Sequence, residues 1–304
     1  MSRYQTQLGF KFFCILFIFL VLPIFSKEAL AKIAFEGKFD DFDLKTTKES
    51  LIKQIQDKQY AVVPIEVEKE FLDEAIQAYE TFLQIPEETK ESLNIEIFPD
   101  YLRSNCGYQK EVLSKGENTR SYFRYHPRLD LYPLCREAIN QHKPVSVLFQ
   151  KASKLWSVAY DGFSKFFDEL DLCHDAVFSK DLSQTRLVLC FIKYSYKNHT
   201  EKRSKSHFDG GLMTLSLKET AAGLRIGRSE KTLSPVSHQD GTAILFFGKN
   251  IESLLDQDNN LFPGWHDVVP GLGDRYAIIA FIDTLEASGI PKEKTDYNPL
   301  NDLF

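Results

Sequence analysis

A histidine and an aspartate stand two positions apart near the start of the segment SKSHFDGGLMTLSL, residues 204–217. We interpret this alternating segment as a strand, in which residues two apart point to the same side. His207 and Asp209 would then present an imidazole nitrogen and a carboxylate oxygen to one point. A second histidine from a neighbouring strand would complete a set of two imidazoles and one carboxylate, which suits ferrous iron and leaves coordination positions open.

The spacing of this pair is a weak signal by itself, because a second pair shares it. The chain has 7 histidines and 43 acidic residues among 304, so about one such pair is expected by chance. The second pair is His238 and Asp240, in the segment SHQDG. We interpret it as a polar turn before the strand TAILFF, and the residues downstream decide between the two pairs.

Downstream, a histidine and an arginine begin two further predicted strands. His266 lies in PGWHDVV, and Arg275 precedes the apolar run YAIIAF. An arginine at the mouth of an apolar barrel needs an anionic partner, since an unpaired buried charge is very costly. A guanidinium binds a carboxylate through two parallel hydrogen bonds, so these residues suit an enzyme whose co-substrate is a 2-oxo acid with a distal carboxylate. Asp267 is expected to point away from His266 and to be solvated.

Taken in order, these segments resemble the iron- and 2-oxoglutarate-dependent dioxygenases of the isopenicillin N synthase-like type. The similar segments are HFDGGLMTL, GLRI, GTAILFFGKNIESLL and the positions of His266 and Arg275, together with DKQYAVVPI, FLQIPEETK and NCGYQKE in the N-terminal half. The resemblance implies that His207, Asp209 and His266 are the iron ligands and that Arg275 binds 2-oxoglutarate. Tyr194 is either a second contact of 2-oxoglutarate or a strand tyrosine with its hydroxyl at the rim. Thr214 is expected to pack behind the metal strand without a contact.

One position departs from that family, whose usual Arg-x-Ser is Arg275-Tyr276-Ala277 here. Tyr276 cannot replace the serine, because strand alternation turns it to the other face. Losing one neutral hydrogen bond costs about 1 kcal/mol. Co-substrate affinity could therefore be weaker, another hydroxyl could serve, or the oxo acid could differ.

Periodicity predicts the elements that must position these residues. Helices are predicted over 45–57, 68–84 and 145–170, with a short one in PEETKESL. Residues 97–144 are interpreted as loop-rich, with an extended piece in GYQKEVL and with His126 in a polar loop. Later runs predict short strands: TRLVLCFIKYSY, LMTLSLKE, AGLRIG, TAILFFG, WHDVV and YAIIAFID. The expected fold class is α+β, a double-stranded β-helix (jelly roll) with a helical N-terminal region and a long supporting helix.

The N-terminus carries a targeting pattern. Basic residues, the apolar run FFCILFIFLVLPIF at 12–25 and the sequence Ala29-Leu30-Ala31 predict a cleaved signal peptide over 1–31. The alternative is an uncleaved membrane anchor through residues 12–25. We expect an exported protein, periplasmic or secreted, with an N-terminal variable region over 32–144 and an oxygenase domain over 145–304.

Charge and cysteine content restrict the partners and cross-links. The net charge is −6 and no basic stripe is visible, so we expect no nucleic-acid partner. Cys106, Cys135, Cys173 and Cys190 could pair in three ways, although Cys190, in an apolar strand, is expected simply to be buried.

The resemblance implies an oxygenase that uses Fe(II), 2-oxoglutarate and O2 to oxidise a small organic substrate, with release of succinate and CO2. The outcome could be hydroxylation, desaturation or cyclisation. One alternative is a catalytically impaired relative that acts as a metal- or ligand-binding protein. Another is an oxidase that uses iron without an oxo acid, against which Arg275 argues.

Overall fold

Alternating apolar strands and three long amphipathic helices build the part of the chain described by this computed structural model. It describes residues 48–98, 105–112, 119–196, 204–254, 261–269, 271 and 273–285. The predicted signal peptide over 1–31 lies outside the described residues and stays a prediction. Within the described part, no helix is long and apolar enough to cross a bilayer.

The helices follow the predicted periodicity closely. Their bounds are α1 Lys48–Lys58, α2 Lys69–Leu83, α3 Glu87–Glu91, α4 Pro133–Gln141 and α5 Lys143–Glu169. The long α5 buries an apolar stripe that includes Leu148, Leu155 and Phe163, as a helix of period 3.6 with one core-facing side should. Pro144 lies in its first turn, where the missing N–H costs nothing.

Twelve strands are found in the described part of the chain. Their bounds are β1 Ala61–Pro64, β2 Ile95–Glu96, β3 Asn105–Val112, β4 Thr119–Tyr125, β5 Leu187–Tyr196, β6 Ser204–His207, β7 Met213–Glu219, β8 Leu224–Gly227, β9 Ser234–Pro235, β10 Thr242–Phe247, β11 Trp265–Val268 and β12 Gly273–Ile282. The major sheet has the order β1-β10-β7-β12-β5-β4-β3-β2, and the minor sheet the order β6-β11-β8-β9. All pairs are antiparallel, and the predicted jelly-roll class is confirmed.

The major sheet has two different faces. On β12, Tyr276, Ile278 and Ala280 join the large core shared with the helices, where the Tyr79 ring of α2 lies 6.3 Å from that of Tyr276. The alternate residues face the other way, and Ala277 joins a smaller cluster with Tyr122 and Tyr194. The predicted turning of Tyr276 away from the face of Arg275 is confirmed.

A second small cluster lies between the two sheets. It contains Leu224 and Ile226 of the minor sheet and Ile244 and Phe246 of the major sheet. Side chains of both sheets therefore meet in an interior that is separate from the helix-covered core, as the inner faces of two packed sheets do.

Residues 97–144 are more regular than predicted. The loop-rich interpretation is wrong for β4, and it is wrong for α4 because Pro133 begins a helix rather than breaking one. His126 is also fully buried, not in a polar loop. Its Nε2 lies 3.0 Å from the carbonyl of Thr185, and its Nδ1 accepts the N–H of Arg128.

The four cysteines outside the predicted signal peptide are all free. Cys106, Cys135 and Cys190 are buried, while Cys173 is exposed. Burial raises the pKa of Cys106 and of Cys135 to about 12, so these thiols are inert structural residues. Cys190 is buried in the small cluster with Tyr122 and Tyr194, as expected for a residue of an apolar strand.

Candidate metal centre

Three residues far apart in the sequence meet in the structure. One ligand atom from each of His207, Asp209 and His266 lies within 4.8 Å of the other two. The Nε2 atoms of His207 and His266 are 3.6 and 3.7 Å from Oδ1 of Asp209. Asp209 and His266 are buried, with 4% and 6% of their surface exposed. The pair chosen from the sequence is therefore the pair at this site.

Each histidine turns a defined nitrogen toward the aspartate. Nδ1 of His207 lies 2.8 Å from the carbonyl of Lys205, and Nδ1 of His266 lies 3.1 Å from that of Gly264. A carbonyl only accepts hydrogen bonds, so both Nδ1 atoms carry the proton. Both Nε2 atoms then present lone pairs to the common point, which is the tautomer that a metal ligand needs.

Strand pairing brings the two imidazoles together. His207 is the last residue of β6 and lies opposite His266 of β11 in the minor sheet. Their ring centroids are 4.3 Å apart, and the ring of Phe246, on the major sheet, is 4.8 Å from that of His266. The centre therefore faces the interior between the sheets.

Asp209 does not share a strand with His207, and that part of the interpretation is wrong. Strand β6 ends at His207, so Asp209 lies in the connection to β7. The N–H of Lys249 donates to the carbonyl of Asp209 at 2.8 Å, and that of Gly248 donates to Leu212 at 2.9 Å. The carboxylate is thus positioned by the connection between β6 and β7, which is held by hydrogen bonds from Gly248 and Lys249. Strand alternation does not position it.

Thr214 contacts the site, contrary to expectation. Its hydroxyl donates to Oδ2 of Asp209 at 2.6 Å, a short charge-assisted hydrogen bond. The bond engages Oδ2 and leaves Oδ1 facing the two imidazoles. Thr214 is on β7 and 1% exposed, so it fixes the rotation of the carboxylate.

Asp267 is buried rather than solvated, and the prediction for it is wrong. It is fully buried and accepts two hydrogen bonds from the Arg225 guanidinium, at 2.9 and 2.6 Å. Ser206 donates a further bond at 3.2 Å. Since Arg225 and Asp267 are cross-strand neighbours on β8 and β11, this pair fixes the strand that carries His266 from its other face. The Asp267 carboxylate also raises the pKa of Arg225.

Arg275 is a buried charge on a largely apolar strand, as the sequence predicts. It is 1% exposed, on the same side of β12 as Ala277, and its guanidinium lies 5.0 Å from the centre of the Tyr194 ring. Burial raises the pKa of Tyr194, although the neighbouring Arg275 and Arg120 act in the opposite direction. Tyr194 is 5% exposed, so the structure places it against two arginines and not at a solvated rim.

Arg275 already has an anionic partner within the chain. Its Nη2 atom lies 2.8 Å from Oε2 of Glu219, and its Nε donates to the carbonyl of Ala221 at 3.1 Å. Sequence reasoning missed Glu219. It is the last residue of β7, and the polar residues around it do not predict that it is buried. Sequence reasoning also missed Arg120, which lies 5.8 Å from the centre of the Tyr194 ring.

The rejected pair His238 and Asp240 takes no part in the metal centre. Asp240 forms an exposed ion pair with Lys69. His238 reaches the carbonyl of Ser216 through Nε2 at 2.9 Å and approaches Glu219 through Nδ1 at 3.6 Å.

No family model and no curated protein matches the chain. Solved structures do match. A full-length Neurospora crassa protein in complex with alpha-KG has a TM-score of 0.60 and 14% identity, covering 81% of this chain and 82% of that one. Dioxygenase for auxin oxidation 1 of Arabidopsis thaliana, bound to 2-oxoglutarate, has a TM-score of 0.59 and 16% identity over 78% and 87%. A Caulobacter crescentus protein assigned to the 2OG-Fe(II) oxygenase family has a TM-score of 0.59 and 18% identity over 84% and 93%. At these identities the likeness concerns the fold, and this chain has the jelly-roll fold of the 2-oxoglutarate-dependent oxygenases, with a candidate iron site formed by His207, Asp209 and His266.

Proposed function

We propose that this protein is an Fe(II)- and 2-oxoglutarate-dependent oxygenase of the isopenicillin N synthase-like type that oxidises a small organic substrate. The observation that carries the proposal is the convergence of His207, Asp209 and His266 within 4.8 Å on the interior of a jelly roll. The fold relatives support the same class: one is an Arabidopsis thaliana dioxygenase, another is a Caulobacter crescentus protein assigned to the 2OG-Fe(II) oxygenase family, and two of the relatives hold 2-oxoglutarate.

The donor set suits ferrous iron. Two neutral imidazoles and one carboxylate are the ligands of non-haem Fe(II) oxygenases, whereas thiolate-rich sites suit zinc or iron–sulfur clusters. Both Nδ1 atoms of the imidazoles are held by carbonyls, and the carboxylate is held by Thr214. Such outer contacts are typical of metal sites, where they fix the ligands before the metal arrives.

The chain supplies binding, orientation and exclusion of water. Bound iron with 2-oxoglutarate would supply O2 activation, with the oxo acid leaving as succinate and CO2 and the substrate being oxidised. His207, Asp209 and His266 would hold the metal, and Arg275 would offer its guanidinium to a carboxylate. Apolar side chains of both sheets, such as Ile226 and Phe246, keep bulk water from the reacting groups.

A second candidate is a catalytically impaired relative that binds a metal or another ligand. The ion pair between Arg275 and Glu219 favours it, because the guanidinium is already engaged. Ala277 favours it too, because no serine hydroxyl stands at that position beside the arginine. A test must therefore separate metal binding from turnover.

The test compares His207→Ala with the wild-type protein. We expect wild-type protein with Fe(II), 2-oxoglutarate and O2 to release succinate, slowly without a substrate and faster with one. His207→Ala should lose this activity and weaken metal binding by more than about 100-fold, because it removes a direct ligand rather than an outer contact. His142→Ala, at the junction of α4 and α5, is the control and should change neither. Wild-type protein that binds iron without releasing succinate would support the second candidate instead.

A further inference from the structure

The guanidinium of Arg275 is only partly satisfied. Nη2 lies 2.8 Å from Glu219, and Nε donates to Ala221. Nη1 is buried and has no hydrogen-bond partner among the described residues. A buried donor without a partner is destabilising, so Nη1 is the part of the arginine that is available to a ligand carboxylate.

A ligand carboxylate at Nη1 would place two carboxylates on one arginine. Glu219 has a side chain only 5% exposed, so water cannot screen the repulsion between the two anions. The repulsion between like charges that share a buried site is relieved when a group at the site takes up a proton. A group beside Glu219 that accepts a proton would relieve this repulsion.

His238 stands in the right place to be that group. Its Nε2 lies 2.9 Å from the carbonyl of Ser216, so Nε2 carries a proton. In the neutral ring, Nδ1 is then a lone pair that faces Oε1 of Glu219 at 3.6 Å. No described hydrogen bond satisfies this Nδ1. A proton on Nδ1 would turn an unfavourable contact into an ion pair with Glu219.

Within the group formed by Arg275, Glu219 and His238, a proton on His238 would offset the charge of the second carboxylate. Without that proton, the charges of Arg275 and Glu219 cancel each other. After binding, two cations, Arg275 and protonated His238, would face two carboxylates. Arg120, whose guanidinium also lies against the Tyr194 ring, adds a further positive charge near Arg275. Glu219, Val236 and His238 also line a cavity of about 180 Å³, which gives the imidazole room to adjust.

We propose that Glu219 and His238 make the binding of the distal carboxylate of the oxo acid proton-linked, so that one proton from solvent is taken up as that carboxylate joins Arg275. Glu219 is thus a positioning and specificity-determining residue, which holds Arg275 and disfavours a dicarboxylate unless His238 is protonated. The inference rests on the proposed function, since it assumes that an oxo acid binds here.

The experiment measures binding to the Fe(II)-loaded protein without O2, by calorimetry in buffers of different ionisation enthalpy across roughly pH 6 to 8, where imidazoles change charge. Two probes are compared: 2-oxoglutarate, and pyruvate, which keeps the chelating end but lacks the distal carboxylate. We expect 2-oxoglutarate to take up close to one proton and to bind up to about tenfold more weakly per unit rise in pH. Pyruvate should show neither effect.

Variants separate the proton linkage from simple structural loss. Glu219→Gln should bind 2-oxoglutarate about tenfold more tightly than wild type near pH 8, because the competing charge is gone, and should take up no proton. His238→Asn should bind it more weakly and without pH dependence. Asp240→Asn, which changes an exposed carboxylate two residues from His238, is the control and should keep the wild-type proton uptake.

The possible outcomes are distinct. If Glu219→Gln and His238→Asn both keep the wild-type affinity and proton uptake for 2-oxoglutarate, the proton linkage is wrong while the proposed function stands. If neither probe binds, and removal of His207 changes nothing, both the linkage and the proposed function are overturned.

Discussion

At the scale of single residues, the candidate centre depends on contacts that fix each ligand before any metal binds. The two histidines are fixed by backbone carbonyls two residues before them. The aspartate is fixed by a side chain, the hydroxyl of Thr214. The aspartate contact can therefore be removed by mutation without altering the backbone.

Thr214→Val should weaken metal binding by about tenfold, the lower end of the effect of outer contacts in metal sites. Valine keeps the shape of threonine but cannot donate, so Oδ2 of Asp209 would lose its 2.6 Å partner. Titration with cobalt(II), an oxygen-stable probe, gives the dissociation constant. Thr214→Ser retains the hydroxyl and should bind nearly as well as wild type. Equal affinity for the valine and serine variants would show that the hydrogen bond does not matter.

The sequence could predict the residues of this site better than the residues that hold them in position. His207, Asp209, His266 and Arg275 were identifiable because chemistry and order along the chain restrict them. Thr214, Asp267 and Glu219 were not, because their roles arise from neighbours 5 to 56 residues away along the chain. A polar residue near a strand end is predicted to be solvated until the tertiary partner that buries it is known.

At the scale of elements, the connection between β6 and β7 carries most of the positioning of Asp209. Backbone bonds from Gly248, Lys249 and Asn250 fix this connection at three carbonyls. A Cβ atom on Gly248 would lie 2.1 Å from the carbonyl oxygen of Gly211 and 2.9 Å from that of Asp209. The close approach of the two segments therefore requires glycine at position 248.

Gly248→Ala should displace the Asp209 connection and reduce both metal affinity and stability, because the two backbones cannot stay in contact. We expect the free energy of unfolding to fall by about 1–3 kcal/mol, as for other overpacked sites. Metal binding should weaken by about tenfold or more. Gly210→Ala is the matched control, since a Cβ there meets nothing within 4 Å. Denaturant unfolding and cobalt(II) titration measure the two effects. Similar values for both variants would mean that the connection tolerates movement.

Strand β4 is absent from the sequence prediction for a physical reason. Strand β4 was predicted as loop because its inward positions are polar, among them Arg120, which is 2% exposed. A strand that faces a charged interior lacks the alternation of apolar and polar residues on which strand prediction depends. By contrast, β5 and β12 were evident because both of their faces are largely apolar.

At the scale of the whole molecule, stability and the site use different faces of the major sheet. The helix-covered face holds the large apolar core, with fully buried aromatics such as Phe82, Phe163 and Phe191. Each such side chain contributes about 1.5–3 kcal/mol relative to exposure. The inner face instead holds two arginines and Glu219, which cost free energy to bury. The helical layer therefore offsets the cost of a polar interior.

The helical layer also contains a buried histidine that should make the whole molecule sensitive to acid. The ring of His126 lies 4.9 Å from that of Phe98 and 6.1 Å from that of Trp156. Both of its nitrogens are engaged in the neutral form. Burial lowers the pKa of His126 from 6.5 to about 4, and the neighbouring Arg128 acts in the same direction. Between pH 6.5 and about pH 4, His126 is therefore protonated in the unfolded chain but neutral in the folded protein.

It follows that the contribution of His126 to stability is complete above about pH 7 and is lost as the pH falls toward 4. The expected loss is about 3 kcal/mol, measured as the difference in unfolding free energy between pH 7 and pH 4 in urea. His126→Gln should be less stable at neutral pH but should lose about 3 kcal/mol less over this range, since glutamine does not titrate. His142→Gln, at a half-buried position, should keep the wild-type difference. An acid loss in His126→Gln as large as in the wild-type protein would mean that His126 is protonated in the fold, and the acid sensitivity would then have to arise from the buried carboxylates.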